Sequence, residues 1–142
     1  MRRLTALLIA TVLAAAACGG GSDDGASGPA EEGPFADGRT VYRASCSACH
    51  GSAGQGGTGP GMTSIVDHFP ECADLVEWIS LGSSQWQDTY GDTYGADATP
   101  VSGGMPGFGG SRTEAELQAV STYVRAQFGG ESRAEAAEAC IP

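Results

Sequence analysis

The five residues Cys46-Ser47-Ala48-Cys49-His50 constrain this chain more than any other stretch. On one turn of helix the two thiols share a side at i and i+3, a spacing that spans a porphyrin edge, and the imidazole next to them is carried beneath the ring centre. Two thiols that add to the vinyl groups of a haem, followed by a histidine that meets its iron, are what this order of residue types supplies. The other uses of a CxxC are a redox disulfide and half of a zinc site. They call for a βαβ pattern or a second CxxC, and the sequence contains neither. The motif therefore predicts one covalently attached haem c, with Cys46 and Cys49 as the attachment points and His50 as an iron ligand.

The residues around the motif suit a fold wrapped on a cofactor rather than on a large apolar core. A chain of 142 residues has room for one domain and some non-core sequence. It holds 23 glycines, and Gly51 to Gly61, GSAGQGGTGPG, is too rich in glycine for regular structure. Its composition favours backbone lying close against a planar group.

Helical periodicity appears on both sides. Folded sequence is expected to begin near Phe35, with Asp37 capping a short helix that carries Val41 and Tyr42 up to Cys46. Glu71 to Leu81 sets Cys72, Leu75, Val76 and Ile79 on one face, with Gly82 as a stop. Ser83 to Gly104 holds Trp86, Tyr90 and Tyr94 without a sustained period and reads as a long loop whose aromatics pack it. Thr113 and Glu116 form a capping box for a helix through Leu117, Val120, Val124 and Phe128, ended by Gly129-Gly130. The Ala/Glu segment Ser132 to Ala139 is helical by propensity and delivers Cys140. With no strand pattern and no repeat, the fold class is all-α: three to four short helices and Gly-rich loops around one haem.

The N-terminal quarter reads differently. Arg2 and Arg3 lead into the apolar run Leu4 to Ala17, which is too short to span a bilayer and has the form of a signal peptide, residues 1–17. Ala15-Ala16-Ala17-Cys18, with Leu13 just upstream, resembles a bacterial lipobox, although alanine stands at its first position. That resemblance implies a lipidated Cys18 and a protein anchored to the outer face of the cytoplasmic membrane. The alternative is a plain secretory signal with an incidental cysteine. Residues 18–34 form a flexible linker of Gly, Ser, Ala, Pro and acids, with a reach of about 20 Å, and residues 35–142 form the folded domain with its C-terminal extension.

Charge and the remaining cysteines narrow the partners and the compartment. The net charge is −10, and removal of residues 1–17 takes two arginines and no acid. Such a surface repels nucleic acid and favours redox proteins with a basic docking face. Once Cys18, Cys46 and Cys49 are assigned, Cys72 and Cys140 remain as an even pair in an oxidising compartment, and a disulfide is expected between them.

Iron bound by His50 needs a sixth ligand or an open position. Met62, Met105 and His68 are the donors available beyond the leader. Met105 lies in Gly103-Gly104-Met105-Pro106-Gly107-Phe108, where proline stiffens the approach and a soft thioether suits ferrous iron. Met62 reads as a loop methionine packing on the haem, and His68, beside Asp67 and Phe69-Pro70, reads as a surface group.

Gly38, Tyr42, CSACHG, the GTGPG turn, the helix before Gly82, MPGF and the LxxVxxYV helix, taken in that order, resemble the class I cytochromes c. The resemblance runs from about Phe35 to Phe128. It implies that Met105 is the distal ligand and that the Pro60 carbonyl accepts the His50 ring N–H. It also implies that Met62 is an apolar haem contact and that Gly38 meets Tyr123 where the first and last helices cross. The function it implies is outer-sphere, single-electron transfer in a respiratory-type chain, with no enzymatic step and with Met/His ligation raising the potential. Two alternatives stay open: a haem-bearing subunit of a membrane-associated oxidoreductase complex, and a haem enzyme or gas sensor with an open sixth position.

Overall fold

In the computed structural model, residues 33–142 are described, and they begin at the point where a proline can start a helix. The leader 1–17, Cys18 and the linker up to residue 32 lie outside the described residues. Helix α1 spans Pro34–Ser45 with Gly33 as its N-cap. Proline at the first position has no N–H to leave unpaired and its φ is already helical. The helix therefore starts earlier than expected, and Asp37 sits in its first turn instead of capping it. There its carboxylate still faces the positive end of the helix dipole.

Helix α1 crosses α5, Glu114–Gln127, and the crossing point is Gly38. A Cβ at that glycine would overlap the Ala119 carbonyl and lie 2.8 Å from Tyr123 Cβ. The partner side of the crossing is thus Ala119 as well as Tyr123. Around it Phe35, Tyr42, Tyr123 and Phe128 pack ring against ring, with centroids 5.0 to 5.6 Å apart, and Val41, Leu117, Val120 and Val124 are buried beside them. Each such side chain contributes about 1.5–3 kcal/mol of burial.

Between the crossing helices lie two single turns, α2 (Ser47–His50) and α3 (Ile65–His68), and the longer α4 (Cys72–Tyr90). Helix α4 departs from expectation. Gly82 does interrupt it, at φ 67° and ψ −179°, but the chain resumes helix through Ser83–Tyr90 instead of entering a long loop. Burial of Trp86 edge-on to Trp78, centroids 5.3 Å apart, supplies a tertiary reason that local periodicity does not record. The remainder of the excursion closes through two-residue strands, β1 (Thr93–Tyr94) and β2 (Thr99–Pro100), paired antiparallel as Thr93 with Pro100 and Tyr94 with Thr99. Strands this short leave no alternating pattern to read.

Helix α6, Arg133–Cys140, follows a Ser132–Glu135 capping box, and at its end Cys140 stands at disulfide distance from Cys72 at the start of α4, Cα–Cα 5.1 Å. The described residues thus hold six helices and one small strand pair. The all-α class holds, and the helices beyond the expected three to four are mostly the single turns α2 and α3.

Candidate functional site

The end of α1 delivers the CSACH residues. Cys46 N donates to Tyr42 O (2.9 Å), and Cys49 N and His50 N then both donate to Cys46 O, at 3.1 and 3.0 Å. That shared acceptor curls Cys46 and Cys49 onto one turn. Both thiols are free, Cys46 half-buried and Cys49 exposed. Burial pushes the Cys46 thiol up to about 11, with Arg112 pulling it down and Cys49 adding to the rise, so its neutral S–H form dominates near neutrality.

His50 is 9% exposed, and its Nδ1 lies 2.8 Å from the Pro60 carbonyl oxygen. A carbonyl can only accept, so Nδ1 carries a proton, and in the neutral ring Nε2 holds the lone pair. The Gly-rich loop is folded to make this contact. Gly56 N donates to His50 O at 2.9 Å, Gly59 N to Cys49 O at 3.0 Å and Met62 N to Gly54 O at 2.9 Å. Gly59 lies so close that a Cβ there would come 2.8 Å from the imidazole Cε1. Tyr42 holds the start of the loop, donating its hydroxyl to Gly51 O at 2.6 Å. Burial pushes that phenol up to about 12, which keeps it a donor.

Met105 is half-buried and packs at the edge of the core, as does Met62. Its loop is bound to α4 by groups that the break at Gly82 sets free. Phe108 N donates to Ile79 O and Gly109 N to Ser80 O, both at 3.0 Å. These carbonyls face the interrupted stretch of the helix, where its own ladder no longer serves them. A Cβ on Gly82 would overlap the Gly107 nitrogen and the Pro106 carbonyl carbon. Ser83 then bonds both main-chain groups of Met105, Ser83 N donating to Met105 O (2.9 Å) and Met105 N donating to Ser83 Oγ (3.0 Å).

The other residues singled out by sequence are engaged elsewhere. His68 Nδ1 is 3.0 Å from Asp97 Oδ1, and this pairing holds the Asp97 carboxyl below its usual range. Trp86 Nε1 donates to Thr93 O at 2.9 Å and Tyr90 Oη to Glu77 at 2.6 Å, while Tyr94 stacks on Trp78 at 4.4 Å. These aromatics build the excursion after Gly82. Among the described residues no cluster of three or more His, Cys, Asp or Glu gathers as a metal-ion site, so the zinc reading of the CxxC finds no further ligands there.

Sequence reasoning missed two contributors. Arg112 donates to Ser45 Oγ (2.8 Å) and to Glu116 (2.9 Å), tying the residue just before Cys46 to the start of α5. Ser83 lies in the resumed helix, in the stretch whose sequence predicts a loop. The Arg112–Ser45 and Ser83–Met105 contacts carry no local signal, because the partners lie 67 and 22 positions apart.

The donor set fits haem c: two free thiols on one turn, an imidazole whose outer nitrogen is available, and thioethers at the edge of the core. No helix among the described residues is long and apolar enough to cross a membrane. No curated protein matches the chain. The family model described as Cytochrome c matches residues 35–127, from the second residue of α1 to the last of α5. A match over that span, on a chain whose first and last crossing helices carry the CSACH turn between them, makes this chain a member of the cytochrome c family.

Proposed function

We propose that this haem-based electron carrier holds a single haem, bound through thioethers at Cys46 and Cys49, with His50 as proximal and Met105 as distal iron ligand. It works as a one-electron carrier rather than an enzyme, on the outer face of the membrane to which Cys18 tethers it. Its redox partners present basic surfaces to its acidic one. Bound haem supplies the one-electron couple, and the chain supplies orientation, exclusion of water and axial donors.

The observation that carries this reading is the 2.8 Å contact between His50 Nδ1 and the Pro60 carbonyl. It fixes the tautomer that leaves Nε2 free and raises the basicity of that nitrogen, as an outer partner does for any metal-bound histidine. A histidine in a merely structural CxxCH turn has no need of a carbonyl held against its ring by a dedicated glycine loop. With a thioether in the sixth position, ferrous iron is favoured and the potential lies above that of a bis-histidine pair.

The test is an absorption spectrum with a redox titration of the mature protein. Met105→Ala is expected to abolish the Fe(III)–thioether band and lower the potential while the haem stays covalently attached. Persistence of the band in that variant moves the ligand to Met62. Carbon monoxide binding to the reduced, undenatured wild-type protein points instead to an open sixth position.

A further inference from the structure

We propose that Ser83 is the positioning residue for Met105, holding the thioether ligand in place through a two-point clamp on its main chain; this rests on the reading of Met105 as distal ligand. Ser83 is 2% exposed. Its N–H donates to Met105 O at 2.9 Å and its Oγ accepts from Met105 N at 3.0 Å. Both peptide groups of one residue are thereby held by one residue 22 positions earlier.

The pairing of a main-chain and a side-chain bond on one partner argues for this role. Ser83 is the first helical residue after the Gly82 break, where a main-chain N–H has no partner within its own helix; the Met105 carbonyl takes it. The serine oxygen takes the Met105 N–H. What the pairing closes is the excursion 84–104, whose return to α4 is otherwise held beyond Met105, at Phe108 and Gly109. A neutral thioether is a weak iron donor that competing ligands displace, so its occupancy depends on how far the chain has already placed it. Pro106 fixes its own φ and restricts the backbone of Met105 before it, and the Gly82 break brings Ser83 within reach.

The experiment uses mature holoprotein and titrates the oxidised form with imidazole, following loss of the Fe(III)–thioether band. In Ser83→Ala the haem remains attached, and imidazole displaces Met105 at about tenfold lower concentration, the equivalent of one buried hydrogen bond. Amide exchange of Met105 in the reduced protein accelerates by a similar factor. Ser83→Thr, which keeps the hydroxyl, stays within about twofold of wild type on both readouts. Ser83→Val, the same shape without the hydroxyl, behaves as Ser83→Ala, and this pair decides the matter should the alanine variant fail to mature. Equal behaviour of Ser83→Thr and Ser83→Val, or an alanine variant indistinguishable from wild type, overturns the clamp. A wild-type protein without the thioether band, or a Met105→Ala protein that keeps it, overturns the distal-ligand reading itself, and the clamp falls with it.

Discussion

Gly38 shows how little room the residue scale leaves. Its helical backbone tolerates alanine, which on propensity alone would gain about 1 kcal/mol. Against that stands the overlap of any Cβ with the Ala119 carbonyl and its 2.8 Å approach to Tyr123 Cβ. The obstacle is the backbone of a packed helix, which cannot rotate away, so overpacking wins. Gly38→Ala is expected to destabilise the protein by about 3 kcal/mol in denaturant unfolding. A variant as stable as wild type would show that the two helices can separate freely. Gly82 is constrained twice over, by a φ of 67° and by the Met105–Gly107 segment packed against it. Arg125, 2% exposed, donates to the Phe69 and Pro70 carbonyls and pairs with Glu131. It thereby joins α5 to the turn before α4.

At the scale of elements, the helices α5 and α6 both begin on capping boxes, Thr113 with Glu116 and Ser132 with Glu135. Hydrogen bonds to the Thr113 main chain, the Arg112 side chain and the Thr113 hydroxyl hold the Glu116 carboxyl below its ordinary 4.5. Bonds to Ser132 do the same for Glu135. A carboxylate whose folded pKa is depressed contributes stability that is complete above its unfolded value and is lost as pH falls through the folded one. Melting temperature is therefore expected to hold from neutrality down to about pH 4.5 and to decline below it. In Glu116→Gln and Glu135→Gln the decline is shallower and starts from a lower neutral value. Identical pH profiles for wild type and variants would show that the boxes do not act through these carboxylates.

For the whole molecule, the Cys72–Cys140 pair and the lipid anchor proposed at Cys18 would set the limits of movement. A Cys72–Cys140 bond closes a separation of 68 residues, which in the chain-entropy account stabilises the fold by about 4 kcal/mol. The paired serine variant should lose about that much in thermal or chemical unfolding while the haem stays bound. A loss of only a few tenths of a kcal/mol would mean that α6 is held by its packing on the other helices, without help from the disulfide. At the other end, acylated Cys18 would keep the carrier at the membrane. Cys18→Ser is expected to shift the protein from the membrane to the soluble fraction with its absorption spectrum unchanged, and retention at the membrane would remove the lipid anchor from the account.

What the sequence determined by itself was whatever depends on neighbours along the chain. Two thiols and an imidazole within five residues specify their chemistry locally, and capping residues and 3.6-residue periodicity mark α5 and much of α1 and α4 because helix formation is a nearest-turn matter. The crossing at Gly38 came from family resemblance and not from the residues alone. Tertiary structure decided what depends on distant segments meeting. Helix resumed after Gly82 because Trp86 found Trp78, the strands formed only as the excursion returned, and Ser45 met Arg112 across 67 positions. Ser83 belongs to the same class. Its pairing with Met105 is fixed only when the chain has folded back, because hydrogen-bond energy depends on position in space and not on order along the chain.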